Sequence, residues 1–136
     1  MILLDTNVLS ELMKALPEAA VERWFLMHEE ESHITSIAIG ELAFGVAKLE
    51  AGLRKSKLEV QISEWRIRFA ERTYAYDVQA ALAYGEILAS ARSAGRPMSV
   101  PDAQIAAIAR EHSCVLATRN TKDFEATGLT LVNPWH

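Results

Sequence analysis

Apolar residues in this chain of 136 residues fall into two patterns, short continuous runs and longer stretches with helical spacing. The run Ile2–Leu4 is continuously apolar, which is typical of a parallel strand buried on both faces. Comparable segments at residues 33–36, 73–77, 114–118 and 129–132 predict four further strands. Because helical patterns separate these strands, we expect an α/β fold on a mainly parallel sheet.

Helical spacing of apolar residues fills most of the sequence between the predicted strands. The longer predicted helices cover residues 37–53, 54–72, 78–94 and 99–110. No linker, repeat or low-complexity stretch divides the chain. We therefore expect a single domain over residues 1–136.

Composition and charge narrow the possible functions. Half of the residues are hydrophobic and 24% are charged, as in ordinary globular proteins. The formal net charge of −4 argues against a general nucleic-acid coat protein, but it is compatible with a nuclease whose acidic centre binds metal. Cys114 is the only cysteine, which fits a reducing cytoplasm. No membrane contact is expected, since no apolar run approaches the ~20 residues that cross a bilayer.

Three carboxylates occupy positions that favour a shared site. Asp5 directly follows the first predicted strand, and open α/β sheets bind ligands at the carboxyl ends of their strands. Asp102 is the third residue of a helix that Ser99 is expected to cap, and the apolar spacing places it on the core-facing side. Glu41 lies in the second turn of another predicted helix, among apolar neighbours.

Each of these carboxylates also has a purely structural interpretation. Asp5 and Asp102 stand where acidic side chains satisfy the free amides at helix starts. Glu41, considered alone, is equally well explained as an exposed helix residue. Their joint placement is what favours a functional site.

A fourth polar segment, residues 118–124, leaves the end of a predicted strand. It is either an ordinary polar turn or a loop that brings Asn120 and Asp123 to the same edge as Asp5. Carboxylates that converge in one concavity repel each other unless a divalent cation keeps them ionised. Oxygen ligands without a Cys or His cluster favour Mg²⁺, for which Mn²⁺ can substitute.

Four segments of the chain share their order and spacing with a known family. They are Asp5-Thr6-Asn7-Val8-Leu9, residues 39–45 around Glu41, Asp102 with residues 103–106, and residues 117–121. Together they resemble the PIN-domain ribonucleases, specifically the VapC toxins. The segment Asn133-Pro134-Trp135-His136 is similar to the FitB branch of that family. One departure is Asn120, where the family often has an acidic residue, so that Asp123 is the nearest carboxylate.

The resemblance implies a three-layer α/β/α fold with strand order 3-2-1-4-5. It also implies a metal-dependent endoribonuclease, the toxin of a type II pair, whose partners are RNA, an antitoxin and a second copy of the chain, with DNA bound only through the antitoxin. The implied metal ligands are Asp5, Asp102 and Glu41, and the implied catalytic residues are these three and Asp123. Thr6, Thr118 and Asn120 are expected to support the site, and Arg119 and Lys122 to bind substrate.

Two other functions remain open from the residues alone. A metal-dependent phosphatase acting on small phosphate esters also places an aspartate after its first strand, but this chain lacks a second aspartate two residues after Asp5. The second possibility is a catalytically weak subunit that binds DNA in a complex with the antitoxin. It stays open because the fourth acidic position is altered.

The two helices at residues 37–53 and 54–72 carry more apolar side chains than one sheet face covers. We therefore expect a groove for an antitoxin segment, with the alternative that the two helices bury these residues against each other. The residues concerned are Leu49, Leu53, Leu58, Ile62, Trp65 and Phe69.

Overall fold

A five-stranded parallel sheet forms the centre of the computed structural model, which describes residues 1–136. The strands are β1 (Ile2–Leu4), β2 (Ser32–Thr35), β3 (Thr73–Tyr74), β4 (Val115–Ala117) and β5 (Leu131–Val132). Their order across the sheet is β3-β2-β1-β4-β5. The implied strand order is therefore confirmed.

Six α-helices cover the two faces of this sheet. They are α1 (Thr6–Leu12), α2 (Ala19–His28), α3 (Ser36–Ala47), α4 (Leu53–Arg68), α5 (Val78–Ser93) and α6 (Val100–Glu111), with short 3₁₀ helices at Glu29–Glu31 and Thr121–Thr127. Buried residues of α5 and α6 form one apolar cluster with Leu3 and Leu116. Those of α1, α2 and α3 form a second cluster with Ile2 and Leu4. The two clusters separate three layers, so the α/β/α expectation is confirmed.

Strand β1 lies in the middle of the sheet, between β2 and β4. Its three residues are all buried, which explains the continuous apolar run. The Asp5 amide donates to the Ala117 carbonyl at 2.9 Å, so the pairing with β4 continues one residue past the strand. Helix α1 begins at the next residue. Asp5 is thereby fixed at the carboxyl edge of the sheet, where the chain connections diverge to either side.

The helices predicted at residues 37–53 and 54–72 are shorter than expected. Helix α3 ends at Ala47 and α4 begins at Leu53. Gly52, immediately before α4, adopts φ 158° and ψ −175°, a conformation that favours glycine. The backbone therefore leaves a turn of several residues between the two helices, which the apolar spacing had placed end to end.

The apolar side of α4 is only partly open. Phe69 is fully buried, with its ring centroid 5.4 Å from that of Trp65 and 6.3 Å from that of Phe25 on α2. The expectation that Phe69 lines an open groove is therefore wrong. Trp65 is half-buried, with its ring centroid 5.6 Å from that of Phe25, and it does not line the open groove either. Leu53 and Leu58, nearer the start of α4, do line an open groove.

Truncation of Phe69 tests whether this side chain is part of the core, through its effect on stability. We expect Phe69→Ala to lower the free energy of unfolding by roughly 3 to 5 kcal/mol, since it leaves a cavity between α2 and α4. Ile67 is 78% exposed on the same helix. Ile67→Ala should therefore change the free energy by less than about 0.5 kcal/mol. Urea unfolding followed by circular dichroism measures both, and equal effects would contradict the core position of Phe69.

Candidate active site

The Asp5 side chain is only 4% exposed and is held by two hydrogen bonds. Its Oδ1 accepts from the Thr6 amide at 2.8 Å, which caps α1. Its Oδ2 accepts from the Thr118 hydroxyl at 2.8 Å. Asp5 is thus a helix cap, as the structural interpretation proposed, and it also presents a carboxylate at the edge of the sheet. The two interpretations are compatible.

The Thr118 hydroxyl ties the segment after β4 to the start of α1. In addition to its bond to Asp5, it accepts from the Asn7 side-chain amide at 3.3 Å and from the Asn120 backbone amide at 3.1 Å. The side-chain oxygen of Asn7, Oδ1, in turn accepts from the Arg119 backbone amide at 3.4 Å. These contacts fix the loop that carries Arg119 and Asn120 beside Asp5.

Glu41 and Asp102 approach the same place from α3 and α6. The Thr6 hydroxyl donates to Glu41 Oε1 at 2.7 Å, which links α1 to the exposed second turn of α3. Asp102 is half-buried in the first turn of α6, which Ser99 caps by accepting from the Asp102 amide at 3.3 Å. The placement of Asp5, Glu41 and Asp102 in one region is as expected.

Burial and mutual repulsion both act on these carboxylates. Burial is the main factor that raises the pKa of Asp5 from 3.8 to about 6, and the nearby Asp102 and Glu41 add to the rise. The hydrogen bonds from Thr118 and Thr6 oppose it. The pKa of Asp102 is also raised, first by burial and then by the charges of Asp123 and Glu41. Without a bound cation, keeping Asp5 and Asp102 ionised therefore costs free energy, and a cation beside them would lower that cost.

A pocket of about 420 Å³ opens over this region. It is lined by Asp5, Thr6, Asn7, Ser10, Glu11, Lys14, Glu41, Asp102, Arg119, Asn120 and Trp135. No group of three His, Cys, Asp or Glu side chains is close enough together to hold one metal ion. The donors are nevertheless carboxylate oxygens around a concavity, and burial penalises the charges of Asp5 and Asp102. Their chemistry therefore fits a hard divalent cation.

Asn120 and Asp123 are the two candidates for the fourth acidic position of the site. Asn120 lines the pocket. Asp123 lies in the 3₁₀ helix Thr121–Thr127 and is not among the lining residues, but its charge raises the pKa of Asp102. Of the two cations expected to bind substrate, Arg119 lines the pocket and Lys122 does not.

Five lining residues were not assigned to the site from the sequence: Asn7, Ser10, Glu11, Lys14 and Trp135. Glu11 is buried at the end of α1, where its Oε1 accepts from Lys14 at 2.9 Å and its Oε2 from the Glu18 amide at 3.0 Å. Asn7 lies in the first turn of the helix that Asp5 caps, which keeps it near the same edge of the sheet. Trp135 lies in the segment that resembles the FitB branch, but nothing in the sequence indicated that it reaches the pocket through a turn after β5.

A PIN-domain family model matches residues 2–128, and the chain therefore belongs to the PIN-domain family. Within that family, it is 39% identical to the VapC ribonuclease Y4jK of Sinorhizobium fredii, over 99% of this chain and 98% of that protein. It is 36% identical to toxin FitB of Neisseria gonorrhoeae, over 100% of this chain and 99% of that protein. The resemblance to VapC toxins and to the FitB branch is confirmed.

The fold has a solved counterpart of the same branch. The structure of FitAB bound to an IR36 DNA fragment contains a chain that matches this one with a TM-score of 0.92 and 36% identity. The match covers 100% of this chain and 96% of that one.

Asp5→Asn should change how stability depends on pH in metal-free protein. Between the ordinary pKa of 3.8 and the raised value of about 6, the folded protein holds the Asp5 proton and the unfolded chain does not. Stability therefore falls as pH rises through this window, by on the order of 3 kcal/mol for this group. The variant lacks this contribution.

The measurement is urea unfolding in EDTA at about pH 4 and about pH 7.5, with the result given as variant minus wild type. The variant should gain stability relative to the wild type at the higher pH. A difference that is equal at both pH values would show that burial does not raise the pKa of Asp5.

Proposed function

We propose that the chain is a Mg²⁺-dependent endoribonuclease, with Mn²⁺ as a substitute, and that it acts as the toxin of a type II toxin–antitoxin pair. The observation that carries the proposal is the buried Asp5 carboxylate, which shares one open pocket with Glu41 and Asp102. Family membership and the likeness to a VapC ribonuclease support RNA as the substrate.

Asp5, Asp102 and Glu41 are the proposed metal ligands. In the structure their side chains are not close enough together to hold one ion, so the proposal requires them to move closer when the ion binds. All three supply carboxylate oxygens, the donors that Mg²⁺ prefers. Burial and like charge raise the pKa of Asp5 and of Asp102, so both groups gain from a cation. When bound, Mg²⁺ supplies positive charge that offsets the charge of the scissile phosphodiester and of the leaving oxygen.

Two threonine hydroxyls orient the reacting carboxylates. Thr118 holds one oxygen of Asp5, and Thr6 holds Oε1 of Glu41. Oε2 of Glu41 is then available to accept a proton from the attacking water. The water oxygen bonds to phosphorus while the bond to the 3′ oxygen breaks, and that oxygen takes up a proton. The products carry 5′-phosphate and 3′-hydroxyl ends.

The remaining site residues have supporting roles in this proposal. Asp123 adds negative charge near Asp102, and Asn120 offers an amide at the pocket wall. Arg119 and Lys122 bind phosphates of the RNA outside the acidic centre. Arg119 has the better position, since it lines the pocket.

The phosphatase alternative has less support. An aspartyl-phosphate mechanism pairs the first aspartate with a second one two residues later, and Asn7 occupies that position. The Asn7 side chain is engaged with Thr118 and with the Arg119 amide. The catalytically weak subunit is disfavoured because Asp5, Glu41 and Asp102 all line the pocket.

An antitoxin segment is the proposed occupant of a groove between the end of α1 and the first half of α4. The groove has a volume of about 1040 Å³, and its apolar walls include Met13, Leu53, Leu58 and Val60. Lys14, Arg54 and Lys57 add positive charge, which suits an apolar segment with acidic residues. Ser10 and Lys14 line both this groove and the acidic pocket. An occupant of the groove would therefore reach the active site and block it.

The expected groove residues thus divide into three groups. Leu53 and Leu58 line the groove. Leu49, Ile62 and Trp65 are half-buried and do not line it, and Phe69 belongs to the core.

The other partners follow from the same family relationship. The FitAB structure contains DNA, which supports DNA binding by this chain only through its antitoxin. The homodimer stays a prediction, for which the exposed Val78 and Leu82, one turn apart on α5, offer an apolar surface.

No helix of the structure has the length and apolar character needed to span a membrane. An RNA substrate and the single buried Cys114 favour a cytoplasmic location.

Asp102→Asn should lower RNA cleavage by roughly a hundredfold or more, because even residues that only support metal ligands typically cost up to that amount. The helix start should survive, since Ser99 caps α6 through the backbone amide of residue 102. The melting temperature should therefore stay equal or rise. Cleavage of total tRNA with and without Mg²⁺, beside thermal unfolding, measures both.

Two further variants complete this series. Asp123→Asn should lower cleavage less than Asp102→Asn and more than Asn120→Ala, because it removes a charge rather than a dipole. The reverse order of the last two would assign the fourth role to Asn120. Wild-type rates for Asp102→Asn at saturating Mg²⁺ would contradict the proposed site.

Charge placed in the groove should weaken antitoxin binding. Leu53 and Val60 are 71% and 57% exposed, so Leu53→Asp with Val60→Asp should leave the fold intact. We expect a loss of more than roughly tenfold in affinity for the product of the adjacent reading frame. Ile67→Asp, on the same exposed stripe two turns beyond Val60 and outside the groove, is the matched control. Equal affinities for all three proteins would place the antitoxin elsewhere.

A further inference from the structure

Arg119 is a cationic residue of the pocket that forms no ion pair. Lys14, the other cation lining the pocket, is paired with Glu11 at 2.9 Å. Arg119 makes no salt bridge with any carboxylate in the structure. Its main chain is held on both sides, because its amide donates to Asn7 and its carbonyl accepts from the Asn133 side chain at 3.4 Å. The main chain of Arg119 is therefore held in place, while its guanidinium has no ion-pair partner.

The guanidinium of Arg119 lies over the indole ring of Trp135. The distance from Arg119 Cζ to the ring centroid is 5.2 Å, within the range of a cation–π contact. A cation–π contact uses the positive charge of the guanidinium and none of its hydrogen bonds, so its N–H groups stay available to a phosphate. The ring thus orients the cation without consuming its hydrogen-bond donors.

A turn after β5 holds Trp135 in this place. Its amide donates to the side chain of Asn133 at 2.9 Å, and its ring packs against the apolar cluster that contains Leu4 and Ala117. The indole Nε1 is buried and has no hydrogen-bond partner. What this ring offers its surroundings is therefore its aromatic face and its volume, not its N–H group.

The charge of the pocket explains why a fixed cation matters there. Asp5, Glu11, Glu41 and Asp102 all line it, and an RNA backbone is itself anionic. A cation at the rim lowers the repulsion felt by the phosphates that flank the scissile bond. A flexible arginine has several rotamers to lose on binding, and a stacked one has fewer.

We propose that Trp135 is a positioning residue for RNA binding, which holds the Arg119 guanidinium at the rim of the acidic pocket so that it binds an RNA phosphate. This inference rests on the proposed ribonuclease function. It adds Trp135 to the substrate-binding machinery and gives the Arg119 side chain a defined contact that orients it.

The test compares two substitutions of Trp135 with one matched control. Trp135→Phe keeps an aromatic face, and since Nε1 has no partner it loses no hydrogen bond. Trp135→Leu keeps an apolar side chain but has no aromatic face. Trp24 is a half-buried tryptophan packed against the same apolar cluster and is not among the pocket residues, so Trp24→Leu reports the effect of losing an indole elsewhere.

Binding and cleavage are measured separately. Fluorescence anisotropy of a labelled single-stranded oligoribonucleotide, with Ca²⁺ in place of Mg²⁺, gives Kd over a series of salt concentrations. Cleavage of an RNA that the wild type cuts gives kcat and KM in Mg²⁺. Melting temperatures of all variants control for the fold.

We expect Trp135→Leu to raise Kd and KM roughly three- to tenfold with kcat little changed. Trp135→Phe should restore most of the affinity, and Trp24→Leu should bind RNA as the wild type does. Arg119→Ala should raise Kd and reduce the slope of log Kd against log salt by about 0.7, the value for one phosphate contact to a single strand. In the Arg119→Ala background, Trp135→Leu should have no further effect.

Several results would overturn the inference. One is an unchanged Kd for Trp135→Leu, and another is an equal loss of RNA affinity in Trp24→Leu. A third is that Trp135→Leu lowers RNA affinity as much in the Arg119→Ala background as in the wild type. That third result would mean that Trp135 contacts RNA itself or only supports the fold. Weaker antitoxin binding with unchanged RNA binding would assign the pair to the antitoxin. A wild type that binds RNA but never cleaves it would instead overturn the proposed function, and one that binds no RNA would overturn both.

Discussion

Burial of the Asp5 carboxylate is the constraint on which the site depends. The residue ends a central strand whose side chains are all packed inside, so it cannot move to solvent without displacing β1. Burial disfavours its charge, and the nearby Asp102 and Glu41 disfavour it further. The fold thus concentrates negative charge at the one edge of the sheet where α1, α3, α6 and the loop after β4 meet. Such a place gains stability from a bound cation.

Much of this edge was predictable from the spacing of polar residues around apolar runs. Asp5 follows one predicted strand and Thr118 ends another, and parallel strands bring such residues to one edge. Asp102 follows a recognisable helix cap. The order of the strands came instead from the family resemblance, because an apolar run indicates burial on both faces but not which strand lies beside it. Chemistry was thus easier to predict than adjacency.

Packing between distant elements was the part that could not be predicted. Trp65 and Phe69 share helical spacing with Leu58, and only the position of α2 decides which are covered. The break at Gly52 depends on one backbone conformation that apolar periodicity does not register. Trp135 reaches the pocket because a turn after β5 directs it there. In each case the deciding contact joins residues far apart in the chain or lies in the backbone.

The hydrogen bonds of Thr118 have a direction, and that direction links the charge state of Asp5 to the loop after β4. A hydroxyl has one proton and two lone pairs. In this structure the proton goes to Asp5, while both lone pairs are taken by amides of Asn7 and Asn120. A proton placed on Oδ2 of Asp5 would find no free lone pair on Thr118 unless one of those amides gave up its hydrogen bond. The network is complete only around an ionised carboxylate, so the arginine-bearing loop is anchored most firmly when the acidic centre is charged and ready for a cation.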